Sequence, residues 1–104
     1  MKILRQILAI ALLAAGAGGL NACALPPDAP TVLASAGGTG PEDAYVVASV
    51  AQEYEILRML GLSAEVQSLR TINGKAFDVI TATDPETGEA RDIWFDISRF
   101  FGRL

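Results

Sequence analysis

The sequence predicts an α+β domain in which one amphipathic helix lies across a three-stranded antiparallel meander, behind an apolar leader and a spacer. Three observations predict it. Apolar residues recur at helical spacing between Ala44 and Leu60, with no Gly or Pro among them. After Ser63 the period changes to two, the mark of strands. Asn73-Gly74 and Asp84-Pro85-Glu86-Thr87-Gly88 then supply two turn signals that cut the strand region into three.

The leader comes first. Lys2 and Arg5 make a short positive start, and Ile7 to Ala17 is an unbroken apolar run. That pattern fits an export signal. A spanning helix needs about 20 apolar residues, and Asn21 ends this run too early. All 12 acidic residues follow it, against six basic ones, so the chain beyond the leader carries a net charge of −6. An acidic product argues against nucleic acid, where Lys and Arg neutralising phosphates supply most of the affinity. It equally argues against lying flat on anionic lipid headgroups.

Leu20-Asn21-Ala22-Cys23 resembles a bacterial lipobox. The resemblance implies transfer of diacylglycerol to the Cys23 sulfur, cleavage before Cys23, and acylation of the new N-terminus by a fatty acid such as palmitate. Residues 1–22 are then a lipoprotein signal peptide, 23–40 a lipidated tether and 41–104 the domain. Ala24, in place of Asp after the cysteine, implies an outer-membrane anchor facing the periplasm. A lone cysteine makes no intramolecular disulfide, which leaves lipidation as its use. A rival cut also fits: Ala22-Cys23-Ala24 is an A-x-A site, and cleavage after Ala24 releases a soluble periplasmic product.

Residues 24–40, with three Pro early and three Gly late, show no periodicity and are expected to be disordered. Thr39-Gly40-Pro41-Glu42 reads as a helix start. The helix that follows has Val46, Val50, Tyr54 and Leu57 on its core stripe, Val47 and Leu60 at the margins, and Gly61 as its stop.

Strands are expected over 65–72, 75–83 and 89–97. A two-residue Asn73-Gly74 turn pairs Ile72 with Lys75, Thr71 with Ala76 and Arg70 with Phe77. Arg91, Ile93, Phe95 and Ile97 share one face of the third strand, and Phe77 and Val79 are expected to join them in the core. The other face then carries Leu69, Ala76, Ile80 and Trp94, and Phe100 and Phe101 in a short tail cover a sheet edge.

Across residues 44–97 this layout resembles PepSY-type domains, which are small exported modules with a helix followed by a meander. Gly74, Phe77, Val79 and Ile80 match the second-strand pattern and Trp94, Phe95 and Asp96 the third, whereas the segment from Ile97 departs from the usual ending. The resemblance implies an inhibitory or protein-binding module of the envelope.

The inventory of reactive groups is short. Without His there is no Ser-His-Asp or Cys-His arrangement and no histidine metal site. Asp84, Glu86 and Gly88 hint at a calcium loop, but Phe95 stands where the bidentate Glu belongs. Asp92 and Asp96 are about 13 Å apart at strand rise, too far for a paired acid and base. No enzyme, cofactor or metal is expected. Trp94, the sole Trp, is expected with Ile80 and Leu69 on the helix-free face as a candidate interaction surface, since Trp is enriched at binding hot spots. The expectation is a membrane-anchored binding or inhibitory module in the periplasm. The alternative is a structural envelope component acting by self-association or cell-wall contact.

Overall fold

A computed structural model describes residues 25–102. The leader, the lipobox with Cys23 and both cleavage points lie outside the described residues. The coarse class is α+β, as the sequence predicts, but among the described residues the sheet has four strands of mixed direction and there are two helices.

The disordered spacer expected over 24–40 gives way at Ala29. Residues Ala29–Ser35 form α1, with Asp28 as N-cap and Pro30 in the first turn. Asp28 Oδ1 accepts from the Thr31 N–H at 3.0 Å, which satisfies one of the free amides at the helix start. Seven residues make too short a helix to stand alone in water. Packing holds it: Ala29 and Val32 are buried in the core, and Gln52 Nε2 donates 3.0 Å to the Pro27 carbonyl from the second helix. The Ala/Val spacing of three that makes this possible is lost among Pro and Gly when composition alone is read.

Pro41–Asp43 is a single 3-10 turn rather than the start of a long helix. Here Asp43 caps backward. Its carboxylate accepts from the N–H groups of Thr39 and Gly40 and from the Thr39 hydroxyl, at 2.8–3.0 Å. The Thr39 hydroxyl in particular holds the Asp43 carboxyl below its ordinary pKa. The chain is then extended, and Tyr45–Val46 forms β1. The second helix, α2, spans Val50–Leu60 and is capped by Ser49, whose Oγ accepts from the Gln52 N–H at 3.1 Å.

Starting α2 at Val50 rotates its buried stripe. Glu53, Ile56 and Leu57 point inward, while Val50, expected in the core, is exposed. The helix ends as expected. Gly61 takes a left-handed φ of 75°, Leu62 N–H donates to Leu57 O at 2.9 Å, and Gly61 N–H to Arg58 O at 3.0 Å.

Three antiparallel-linked strands follow: β2 (Ser63–Ile72), β3 (Lys75–Thr83) and β4 (Ala90–Asp96). The Asn73-Gly74 turn has positive φ at both residues, 51° and 79°, and pairs Ile72 with Lys75, Thr71 with Ala76 and Arg70 with Phe77 as expected. Strand order is β1-β4-β3-β2, with β1 parallel to β4 through Tyr45↔Phe95 and Val46↔Asp96. A crossover through α2 makes that parallel pair possible. The sheet is therefore mixed, where the sequence predicts a pure meander.

The second hairpin corrects the assignment of faces. Its loop holds six residues, 84–89, closed by Asp84 N–H to Glu89 O at 2.9 Å, and it pairs Thr83 with Ala90. The expected five-residue loop would oppose Thr83 with Glu89 and Val79 with Ile93. One added residue exchanges the faces of β3 relative to β4. Ile80 pairs with Ile93 and Val79 with Trp94. Ile80, Ala82, Ile93, Phe95 and Ile97 thus form the helix-side core with Tyr45, Val47, Ile56 and Leu57. Phe77 and Val79 are buried too, but beneath the opposite face.

Candidate functional site

The opposite face holds Trp94. Its ring meets the Phe77 ring edge-on, with centroids 5.7 Å apart at 69°, and the Arg70 guanidinium lies 5.6 Å from its centroid. The Trp94 backbone N–H donates 2.8 Å to the Gly38 carbonyl, so the segment before the 3-10 turn lines the outer edge of β4. Glycine is required at 38. Its φ is 69°, and a Cβ there would stand 2.3 Å from Tyr45 Cε2.

The three residues expected to form one interaction surface are not brought together. Ile80 is fully buried in the helix-side core, Leu69 is 54% exposed on that same side of β2, and Trp94 is half-buried on the other face. The shift follows from the six-residue loop. Trp94 is mostly covered by its own chain, through Phe77, Arg70 and Gly38.

Near it, Asp96 is buried and tied down. Its Oδ1 accepts from the Ser98 hydroxyl at 2.6 Å and the Ser98 N–H at 2.9 Å. Oδ2 lies 3.5 Å from Lys75 Nζ. Burial raises its pKa, but the Ser98 hydrogen bonds and the Lys75 charge lower it more, so the net shift is downward.

The helix side offers a different arrangement. A groove of about 440 Å³ runs between α2, β2 and the tail after β4, walled by Val50, Leu69, Ile97, Phe100 and Phe101. Val50, Leu69 and Phe101 are three of the seven large apolar residues exposed among the described residues, and all three border this one groove. Its polar floor comes from Glu53 on α2, Asp78 on β3 and Gln67 on β2.

Glu53 is fully buried and Asp78 is 4% exposed. Asp78 has a partner, for Gln67 Nε2 donates to its Oδ2 at 2.6 Å, and the Tyr54 hydroxyl reaches the Gln67 Oε1 at 3.5 Å. No N–H or O–H of another residue reaches either Glu53 carboxyl oxygen; its one polar partner is the Asp78 carboxyl, to which a protonated Glu53 donates. An ionised carboxylate is costly in such a place. Burial first, and then the hydrogen bond to the facing Asp78 carboxylate and its charge, push the Glu53 pKa from 4.5 up to about 9. The floor at neutral pH therefore carries a proton on Glu53. Among the described residues no Lys or Arg lines the groove.

Sequence reasoning missed this pair. An acid beside Val46, Val50, Tyr54 and Leu57 reads as solvated, and Asp78 stands between Phe77 and Val79 with no motif around it. A visible signal existed: Glu53 sits three residues before Ile56 and four before Leu57, on the stripe that a helix beginning at Val50 must bury.

Among the described residues no helix is long and apolar enough to cross a membrane, and no group of three or more Cys, Asp and Glu is placed to hold a metal. The fold and groove define a small α+β domain with a mixed four-stranded sheet and a carboxyl-floored apolar groove. Compared with known proteins, the chain matches no family model, no curated sequence and no solved structure.

Proposed function

We propose that the protein is a membrane-anchored binding module of the bacterial envelope, held by acyl chains on Cys23 and using the groove between α2, β2 and the tail as its contact site. The observation that carries the binding role is the groove itself. Exposed apolar walls converge there on two buried carboxyls that no cation of the described residues offsets, the composition of a ligand site rather than of a solvated surface. The anchor is supported by the lipobox residues Leu20-Asn21-Ala22-Cys23 and the leader before them. Two or more acyl chains hold a protein in a bilayer where one is marginal.

Metabolic labelling with a palmitate analogue tests the anchor. The full chain is expected to take up label and partition with outer-membrane fractions, Cys23→Ser to lose both, and globomycin to accumulate the precursor. An unlabelled soluble product cut after Ala24 would sink this half of the reading.

A second reading, self-association, rests on β2. This strand of ten residues forms the sheet edge opposite β1, and Val66 on it is 61% exposed. An unpaired edge of that length is a template for another strand. Sedimentation of the full chain in detergent separates the readings: a concentration-dependent dimer lost on Val66→Lys favours self-association.

A further inference from the structure

The groove has a wall chemistry and a floor chemistry, and together they restrict its occupant. The walls suit an aliphatic stem and offer the Phe100 and Phe101 rings beside it. Apart from the one proton held between Glu53 and Asp78, the floor offers acceptors: the two carboxyls and the Gln67 amide oxygen. Two acids are buried side by side with no cation between them among the described residues, and the one on α2 has only the other carboxyl to bond to. A ligand that brings positive charge and several N–H donors on an apolar stem meets every one of these demands.

We propose that the groove takes an arginine side chain from a peptide segment of a partner protein, with its guanidinium set against the Glu53 and Asp78 carboxyls. The proposal rests on the groove being the contact site, as inferred above. Arginine fits better than lysine for three reasons. Its planar fork presents five donors, enough for two carboxyls and the Gln67 oxygen. The guanidinium is less strongly hydrated than an ammonium, so leaving water costs it less. It also stacks on aromatic rings, and Phe100 and Phe101 stand at the groove wall. A volume of about 440 Å³ falls within the range of small-ligand pockets and leaves space for an apolar neighbour of the arginine.

Proton linkage follows. The groups facing Glu53 are Asp78 from β3, Gln67 from β2 with Tyr54 behind it, and the apolar Ile97, Phe100 and Phe101 from the tail. None supplies a competing cation. A guanidinium favours the ionised form of Glu53, so its arrival expels the proton that Glu53 otherwise holds. Affinity then rises with pH by up to tenfold per unit while Glu53 is protonated in the free protein. The guanidinium stays charged throughout, so this dependence belongs to the protein.

The test uses the full chain, purified in detergent and labelled with nitrogen-15, and two peptides. One is acetyl-Leu-Arg-Leu-amide. The other replaces Arg with citrulline, its neutral isostere. The arginine peptide is expected to shift the amide signals of Val50, Glu53, Gln67, Asp78 and Phe101, to bind at least tenfold tighter than the citrulline peptide, and to bind about tenfold tighter at pH 8 than at pH 7. Calorimetry in buffers of different ionisation enthalpy should count about one proton released with wild type and none with Glu53→Gln. Equal binding of the two peptides at the groove overturns the arginine assignment and leaves the groove as a contact site. Shifts from neither peptide, or shifts confined to the Trp94 face, overturn both.

Discussion

Glu53→Gln should stabilise this protein, against the usual direction of a core substitution. The cause is electrostatic. An ordinary glutamate in the unfolded chain releases its proton near pH 4.5, whereas in the fold it holds it to about 9. Between those values the native state binds a proton that the unfolded state has lost, so stability is fully present below pH 4.5 and falls as pH rises toward 9. At about 1.4 kcal/mol per pH unit, the loss reaches about 3 kcal/mol at pH 7 and about 6 kcal/mol by pH 9. Glutamine keeps the shape, stays neutral and offers an N–H to the facing Asp78 carboxylate. Urea denaturation of wild type and variant at pH 4.5, 6, 7, 8 and 9 reads the difference directly. The two should agree near pH 4.5 and diverge upward, with the variant up to about 3 kcal/mol more stable at pH 7. Parallel curves, or a variant less stable at every pH, would refute the argument, because they require a Glu53 that is ionised and satisfied in the fold.

Gly38→Ala should cost about 2 kcal/mol or more, since it imposes a positive φ on alanine and drives a methyl into Tyr45; a melting temperature within a degree of wild type would contradict the contact. Trp94→Ala should cost about 2 kcal/mol, less than a fully buried Trp, with the edge-on Phe77 and the Arg70 stacking lost together. Arg70→Ala in the same denaturation series should cost under 1 kcal/mol, and equal costs for the two would show that the cation, not the ring, holds the face. Asp96, with its pKa lowered, adds stability above its unfolded value that is lost as pH falls through the folded one. Asp96→Asn should therefore narrow the gap between acid and neutral stability.

How far the sequence leads differs from element to element. The Asn73-Gly74 hairpin and the Gly61 helix end were legible because each depends on two or three adjacent residues with a required backbone conformation. The second hairpin was not, since Asp84 to Glu89 permits five or six loop residues and only packing chooses. That single residue decided whether Ile80 or Val79 met the helices, and with it the fate of the surface expected around Trp94. α1 and β1 were missed for another reason. Both are too short to carry a period and form only because the sheet and α2 are there to receive them. The carboxyl floor was hidden by the same dependence: Glu53 looks solvated until the start of α2 is placed at Val50.

The position of α1 also bears on where the protein works. With the acyl chains on Cys23 proposed above, only six residue steps separate the lipid from Ala29, the first residue buried in the core. Even fully stretched, such a leash spans about 20 Å. A domain so tied patrols a thin layer over the bilayer and cannot sample the depth of the periplasm. Whatever docks with it must come to the membrane, or be embedded there already. Lengthening the leash with Gly and Ser ahead of Pro26 would hand the domain a wider territory, and a partner fixed at the lipid surface would then be captured less often.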